Sequence, residues 1–366
     1  MNLRTKKNSA ILISRQGLHP CLSTPWITQT QRAIQWVKSN DFRLYTSLGQ
    51  NTWELCVFLA QKEGLDQVIV IPSKNPDDFE NQKNYIIKQF CLDLNRVSFE
   101  AVYTEDPKTL RYQRDAKIVS SSDKLIPIAV RKKGHMEKLI TQKKQQNPNC
   151  LIQDFQIKYQ KNKTPIGYHI DQSRLSHHIY QLSSEYLIHW TRASNGPWPT
   201  EIKYEYFNAI LKNDTYPRNA LDTLKNILDL SQIKASTRHM PQKTPTVSFS
   251  GLLPHEAIPL MRWRARFCQM SFEPYGIGIE KSYAQSMGIQ AVKYYKLNSH
   301  PKGVAPWLCQ STGRQGDWQL EKEYRFLGDI DLFKIPNDKL VCFCLKQDEA
   351  IKLHKKYKIK AIAMID

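Results

Sequence analysis

The sequence predicts an α/β N-terminal domain, a Rossmann-like parallel sheet, followed by an α+β C-terminal domain. Three observations carry that expectation. The chain has 366 residues, 41% of them hydrophobic, which is enough to build a core in each of two domains. From Ser9 to Tyr103 short β-branched runs alternate with helical patterns, as they do in a parallel sheet covered by helices. From about Asp171 onward helices and strands mix without regular alternation, which points to α+β.

The first-half elements follow in order. Ala10 to Ser14 reads as a strand ending at Arg15-Gln16-Gly17, and Thr28 to Ser39 as an amphipathic helix with Ala33, Ile34 and Val37 on one face. Strands are predicted at Phe42 to Thr46, Val68 to Ile71, Val97 to Tyr103 and Leu125 to Val130, with helices at Thr52 to Gln61 and Asn84 to Leu92. The stretch from Lys138 to Lys163 is rich in Gln, Asn and Lys and poor in apolar periodicity. It sets the predicted division: residues 1–140 as a nucleotide-binding domain, 141–170 as a basic linker carrying Lys158, Lys161 and Lys163, and 171–366 as the second domain. A long hairpin or an extended helix decorating one domain, docked through Leu151, Ile152 and Ile157, is the competing reading. In the second half, strands are predicted at Tyr186 to Thr191, Ile233 to Ser236, Thr246 to Ser250, Gly276 to Glu280, Ala291 to Tyr295, Tyr324 to Ile330 and Leu340 to Leu345. Helices are predicted at Glu201 to Leu211, Ala220 to Leu228 and Glu256 to Phe267.

No run approaches the roughly 18 to 20 apolar residues of a membrane helix, and no apolar stretch of a signal peptide follows the first charges, so a cytoplasmic protein without membrane contact is expected. The eight cysteines are scattered and form no C-x-x-C pair, so neither a disulfide framework nor a metal site is expected. Lys plus Arg number 53 against 34 acidic residues, a formal charge of +19. That charge suits a polyanionic partner such as nucleic acid, or else a lysine-rich solubility surface.

In an open parallel sheet, ligands bind beyond the carboxyl ends of the strands, where amides at helix N-termini meet phosphate oxygens. Ser14, Arg15 and Gly17, together with Ser47, Gly49, Gln50 and Asn51, form two such loops, and Glu54 is a candidate acceptor for a ribose or base. A plain strand-to-helix connection explains each glycine about as well. Arg111-Tyr112-Gln113-Arg114-Asp115, the strand Leu125 to Val130 and Arg131-Lys132-Lys133-Gly134 complete an order that resembles the SLOG superfamily, which includes the DprA and LOG proteins. By that resemblance Ser47 to Asn51 stands for the family's second loop, and Arg114-Asp115 for its Arg-Asn. Arg131 joins them, and a nucleotide ligand is implied. The P-G-G-x-G-T segment of LOG enzymes is missing, so nucleotide or nucleic-acid binding is implied over hydrolysis.

In the second half Pro245 to Pro254, Tyr275 to Lys281, Ala291 to Tyr295 and Glu321 to Phe326 follow in an order that resembles the AbiGi-type abortive-infection proteins and the related DUF2971 group. A phage-defence or stress-response role is implied. The same residues read as an ADP-ribosyltransferase-like set using NAD or another nucleotide. His189 is placed to hold the ribose, Ser248 lies on a central strand, and the Glu321-x-Glu323 pair supplies a carboxylate to stabilise an oxocarbenium ion and a second to orient the acceptor or act as base. Thr191, Ser250 and Arg325 are supporting residues. The structural alternative for each is that His189 caps a strand, the serines pack and Glu323 pairs with Arg325 or Arg264. Met261 to Phe267, interleaving Arg262, Arg264 and Arg266 with Trp263 and Phe267, reads as a helix suited to phosphate contacts and base stacking, or else as an ordinary amphipathic helix packing Trp263 and Phe267 inward. The leading expectation is a nucleotide-binding domain coupled to a transferase. A non-catalytic nucleic-acid-binding or antitoxin-like protein is the alternative.

Overall fold

The run Val68-Ile69-Val70-Ile71 has no polar side chain to turn toward water, and it forms a strand buried on both faces, as parallel strands covered by helices are. Around it, in a computed structural model, the chain is described at residues 6–17, 19–104, 106, 109–160, 167–168, 170–182, 185–238, 240–264, 269–296, 299, 301–312 and 318–366. It divides into two units, one of residues 1–163 with 196–217 and one of residues 164–195 with 218–366.

The first unit is an α/β layer structure. Its strands β1 (Asn8–Leu12), β2 (Arg43–Ser47), β3 (Gln67–Ser73), β4 (Val97–Tyr103) and β5 (Lys124–Pro127) lie in the order β4-β3-β2-β1-β5, every neighbouring pair parallel. Helices α1 (Pro25–Ser39), α2 (Asn51–Glu63), α3 (Pro76–Phe90), α4 (Leu110–Ser121) and α5 (His135–Gln146) connect or follow them, and α6 (Lys203–Ile210) belongs to the same unit. One apolar cluster joins Ile11, Ile34, Leu44 and Phe58 to Phe207 of α6; another joins Leu12, Val68, Ile118 and Ile140. Local signals set the helix ends. Asn75 accepts a hydrogen bond from Asp78 N–H ahead of Pro76, and Gly64 closes α2 with φ 65°.

The predicted linker is folded in its first part. Residues up to Gln146 complete α5, Cys150 and Phe155 are buried, and the N–H groups of Ile152 and Ile157 donate to the carbonyls of Leu125 and Ile128 at 2.9 and 2.8 Å. Only Met136 and Ile140 of α5 are buried, so its apolar stripe is too narrow to read against the surrounding Lys and Gln. Lys161 and Lys163 lie outside the described residues.

The second unit is α+β. Strands β6 (Tyr186–Trp190), β7 (Thr246–Ser250), β8 (Gly276–Glu280), β9 (Gln290–Ala291), β10 (Glu323–Leu327), β11 (Leu340–Cys344) and β12 (Lys360–Ala363) form a sheet in the order β9-β10-β7-β6-β8-β11-β12. It is antiparallel except for β11 with β12. Helices α7 (Ala220–Asp229) and α8 (Gln347–Tyr357) contribute Leu224 and Leu353 to the apolar cluster on one face. The opposite face carries Ile188, Trp190 and Phe343. Gly276 permits this packing, because a Cβ there would sit 2.9 Å from the carbonyl of His189 and 3.1 Å from the Trp190 ring.

One predicted helix is corrected. Instead of a helix from Glu256 to Phe267, the chain makes one turn at Pro254–Ala257, a 3₁₀ turn at Ile258–Leu260, and a short antiparallel hairpin of Trp263–Arg264 with Gln269–Met270. Pro259 removes a backbone donor and stops the helix. Ala265, Arg266 and Phe267 lie outside the described residues. Among the described residues no helix is long and apolar enough to cross a membrane.

Candidate functional sites in each unit

The carboxyl ends of all five strands of the first unit lie at one edge. The chain steps from β1 outward to β4 and then returns to place β5 on the other side of β1, so β1 and β5 flank the topological switch point. There Ser14 N–H donates to the Ala129 carbonyl at 3.1 Å, and Arg131 N–H donates to Ser14 Oγ at 2.9 Å. Ser14 thus ties the loop after β1 to the loop after β5. Arg15, on one loop, and Arg131, Lys132 and Lys133, on the other, are exposed. Arg111 and Tyr112, in the first turn of α4, are exposed as well. The Tyr112 ring meets His135 edge-on at 4.5 Å, at the start of α5, which places it beside the Arg131-Lys132-Lys133 run. Among the described residues none of these five cations forms an ion pair, while other cations of the unit, including Lys6, Lys38 and Lys203, do.

The other first-unit site residues brace the loop after β2. Gly49, at φ 84°, turns this loop, and a Cβ would meet nothing within 4 Å, so its backbone conformation is what requires glycine there. The Glu54 carboxylate accepts from Gly49 N–H at 3.2 Å and pairs with Lys203 of α6. Arg114 is buried: Nη1 donates to the Leu48 carbonyl at 2.9 Å, Nε and Nη2 hold Asp115, and the guanidinium lies over Trp53. Burial raises the pKa of Asp115 against the pull of Arg114. Ser47 Oγ donates to the Val70 carbonyl at 2.6 Å. Glu54, Arg114 and Asp115 are therefore engaged within the protein, and Gln50 and Asn51 form the cap and first residue of α2. Lys203 was not legible as a partner because 149 residues separate it from Glu54.

In the second unit Ser248 Oγ donates to Glu323 Oε1 at 2.7 Å. The Arg325 guanidinium, 1% exposed, grips the same carboxylate with Nε at 2.8 Å and Nη2 at 2.9 Å. Its remaining N–H groups donate to the carbonyls of Trp307 and Cys309 and to Gln310 Oε1. All five donors of the guanidinium are used. Glu323 N–H donates to Tyr294 Oη at 3.1 Å, and burial pushes the Tyr294 phenol up to about 12. Ser250 Oγ donates to the Glu321 carbonyl and Thr191 Oγ1 to the carbonyls of Ala220 and Tyr275. Burial first, then the charge of Glu323, raises the pKa of Glu321 against Arg264, Arg262 and Arg325.

His189 does not join this group. The register sets Ile188 opposite Ser250, and Arg325 and Glu323 opposite Ser248 and Ser250. Alternation along β6 then puts His189 on the other face, where its ring meets Phe249 at 5.9 Å among the apolar cluster. Its Nδ1 donates to the main-chain carbonyl of Ser248 at 2.9 Å, and burial holds its pKa below the ordinary value. A cleft of about 560 Å³ is lined by Glu323, Glu256, Glu185, Lys281, Lys322 and Tyr294, among others, without His189. The transferase arrangement needs a histidine and an open carboxylate facing one NAD ribose. The sheet separates the two, and both Glu323 oxygens accept hydrogen bonds from Arg325, so His189 and Glu323 do not face one ribose.

No family model matches the chain, and no curated protein does. Solved structures similar to part of it include two of DNA processing protein A. DNA processing protein A from Streptococcus pneumoniae is 12% identical, with a TM-score of 0.29, covering 38% of this chain and 47% of that one. DNA processing protein A from Helicobacter pylori, described with a single-stranded DNA binding mode, is 11% identical, with a TM-score of 0.30, covering 40% and 64%. This chain spans less than two thirds of the length of either.

Proposed function

We propose that the first unit binds single-stranded nucleic acid along the β1–β5 edge of its sheet. The observation that carries this reading is the gathering of Arg15, Arg111, Arg131, Lys132 and Lys133 at the switch point, exposed and without ion pairs among the described residues. Five fixed cations in water repel one another and gain most from a polyanion, whose phosphates release counterions when they are neutralised. Tyr112 adds an exposed π-face beside the cations, the pairing that holds a single strand by backbone and base together. The commitment of Glu54 and Arg114 within the protein favours an extended polyanion over a mononucleotide held by its ribose. The nucleotide-transferase role keeps no comparable support, because its carboxylate is already paired.

The test is fluorescence anisotropy with a labelled oligothymidylate at several salt concentrations. The triple substitution Arg131→Glu, Lys132→Glu, Lys133→Glu is expected to weaken binding at least about 100-fold and to reduce the slope of log K against log salt by about 2. The circular dichroism spectrum should not change. Equal binding by the triple variant and the wild-type chain, or no saturable binding at low salt, overturns the proposal.

A further inference from the structure

The second unit contains an arginine that is treated quite differently from Arg325. Arg192 lies two residues past the end of β6 and is half-buried. Among the described residues its side chain makes one hydrogen bond, from Nη1 to the Ser271 carbonyl at 3.2 Å, so four of its five N–H groups remain open. It forms no ion pair there. Glu273, the acid that acts on it, already accepts from Ala193 N–H at 2.7 Å and from the Tyr168 hydroxyl. The other charges acting on Arg192 are positive. Burial, then Arg238 and Arg264, lowers its pKa.

The fold brings Arg192 to the hairpin that carries Arg264. Arg264 sits on the hairpin Trp263–Arg264 with Gln269–Met270. Ser271, the acceptor for Arg192, closes the base of that hairpin: its N–H donates to the Arg262 carbonyl at 2.9 Å, and Arg262 N–H donates to its Oγ at 3.2 Å. One hairpin therefore fixes Arg262, Arg264 and the partner of Arg192. Arg264 and Arg262 act on the Glu321 carboxylate, whereas Glu273, the acid that acts on Arg192, forms no ion pair with it among the described residues. Holding a guanidinium half out of water beside like charges, with no ion pair among the described residues, costs free energy, and an anion bound in place relieves it.

We infer that Arg192, held against the hairpin that carries Arg262 and Arg264, forms a binding site for the phosphate of a small phosphate ester. The planar fork of a guanidinium matches two phosphate oxygens at once, and half-burial strengthens that contact over one made in open water. This site is separate from the β1–β5 edge of the first unit.

Pyrophosphate is the probe, titrated into the full chain by calorimetry at constant ionic strength in chloride. Saturable binding is expected, weakened at least about tenfold in Arg192→Gln and by a smaller factor in Arg192→Lys, which keeps the charge and loses the fork. In phosphate-free buffer Arg192→Gln should melt at or above the wild-type temperature, because an unmatched charge has been removed; a residue with a purely structural role would lower it. The triple variant at the β1–β5 edge should bind pyrophosphate as the wild type does, so this inference and the nucleic-acid proposal fail separately. No saturable binding, equal affinity in Arg192→Gln, a lower melting temperature for that variant in phosphate-free buffer, or displacement of pyrophosphate by an oligonucleotide would each overturn the assignment.

Discussion

At the β1–β5 edge of the first unit, cations stand in water without ion pairs among the described residues, whereas in the β7–β10 strands of the second unit Arg325 is 1% exposed and every one of its donors is engaged. The difference teaches how to separate charge held for a partner from charge held for the fold. An exposed lysine costs little to leave unpaired and responds to any polyanion. A buried guanidinium is tolerable only when its charge and its N–H groups are met inside the protein, and a group so engaged has little left for a ligand. Residues that look equally suggestive in sequence, Arg131 and Arg325, thus fall on opposite sides. Arg192 is informative because it is partly withdrawn from water, toward the second kind, yet makes one side-chain hydrogen bond among the described residues.

The largest effect that would break this comparison is expected at Arg325. Arg325→Met strands the Glu323 carboxylate and removes the donors to Trp307 and Cys309, and it should cost about 3–5 kcal/mol in urea unfolding. Combining it with Glu323→Gln should return a good part of that loss. A single substitution without effect on stability would mean that the node is not structural. A smaller loss, about 2 kcal/mol, is expected for Lys203→Met, which leaves the Glu54 carboxylate to the Gly49 N–H alone. Thermal unfolding checks it, and an unchanged midpoint would show that the loop after β2 does not depend on α6.

The smallest effect concerns His189. Burial lowers its pKa below 6.5, so around and below that pH the unfolded chain binds more protons than the folded one, and stability falls as the pH drops. His189→Asn keeps a donor toward the Ser248 carbonyl and removes the titration. Between about pH 7.5 and about pH 5.5 the wild type should lose more stability than this variant, by no more than about 1.4 kcal/mol per pH unit. Parallel pH profiles would contradict a buried, neutral imidazole.

Much of the fold was legible. Val97–Tyr103, Thr246–Ser250 and Gly276–Glu280 are strands with the predicted bounds, because alternation or a short apolar run bounded by turn residues marks a strand locally. The helix α8 and the strand β12 carry no local signal, since Lys352, Lys355 and Lys356 dominate α8 and only Ala350 and Leu353 are buried there. The α4 helix carried too few buried residues, Arg114, Ile118 and Val119, to stand out.

The candidate sites divide along the same line. From the sequence alone came the positive charge, the parallel sheet of the first half, the position of the loops after β1, β2 and β5, and the Glu-x-Glu-x-Arg segment, all of which depend on residue type and short-range period. Only the tertiary structure decided which face of the sheet each side chain takes and whom it meets. A one-residue step along β6 sends His189 to the apolar face while Glu323 stays on the other, and Lys203 reaches Glu54 across 149 residues. Those outcomes follow from strand register and long-range packing, which local sequence does not specify, and they set His189 apart from Glu323 while tying Glu323 to Ser248 and Arg325.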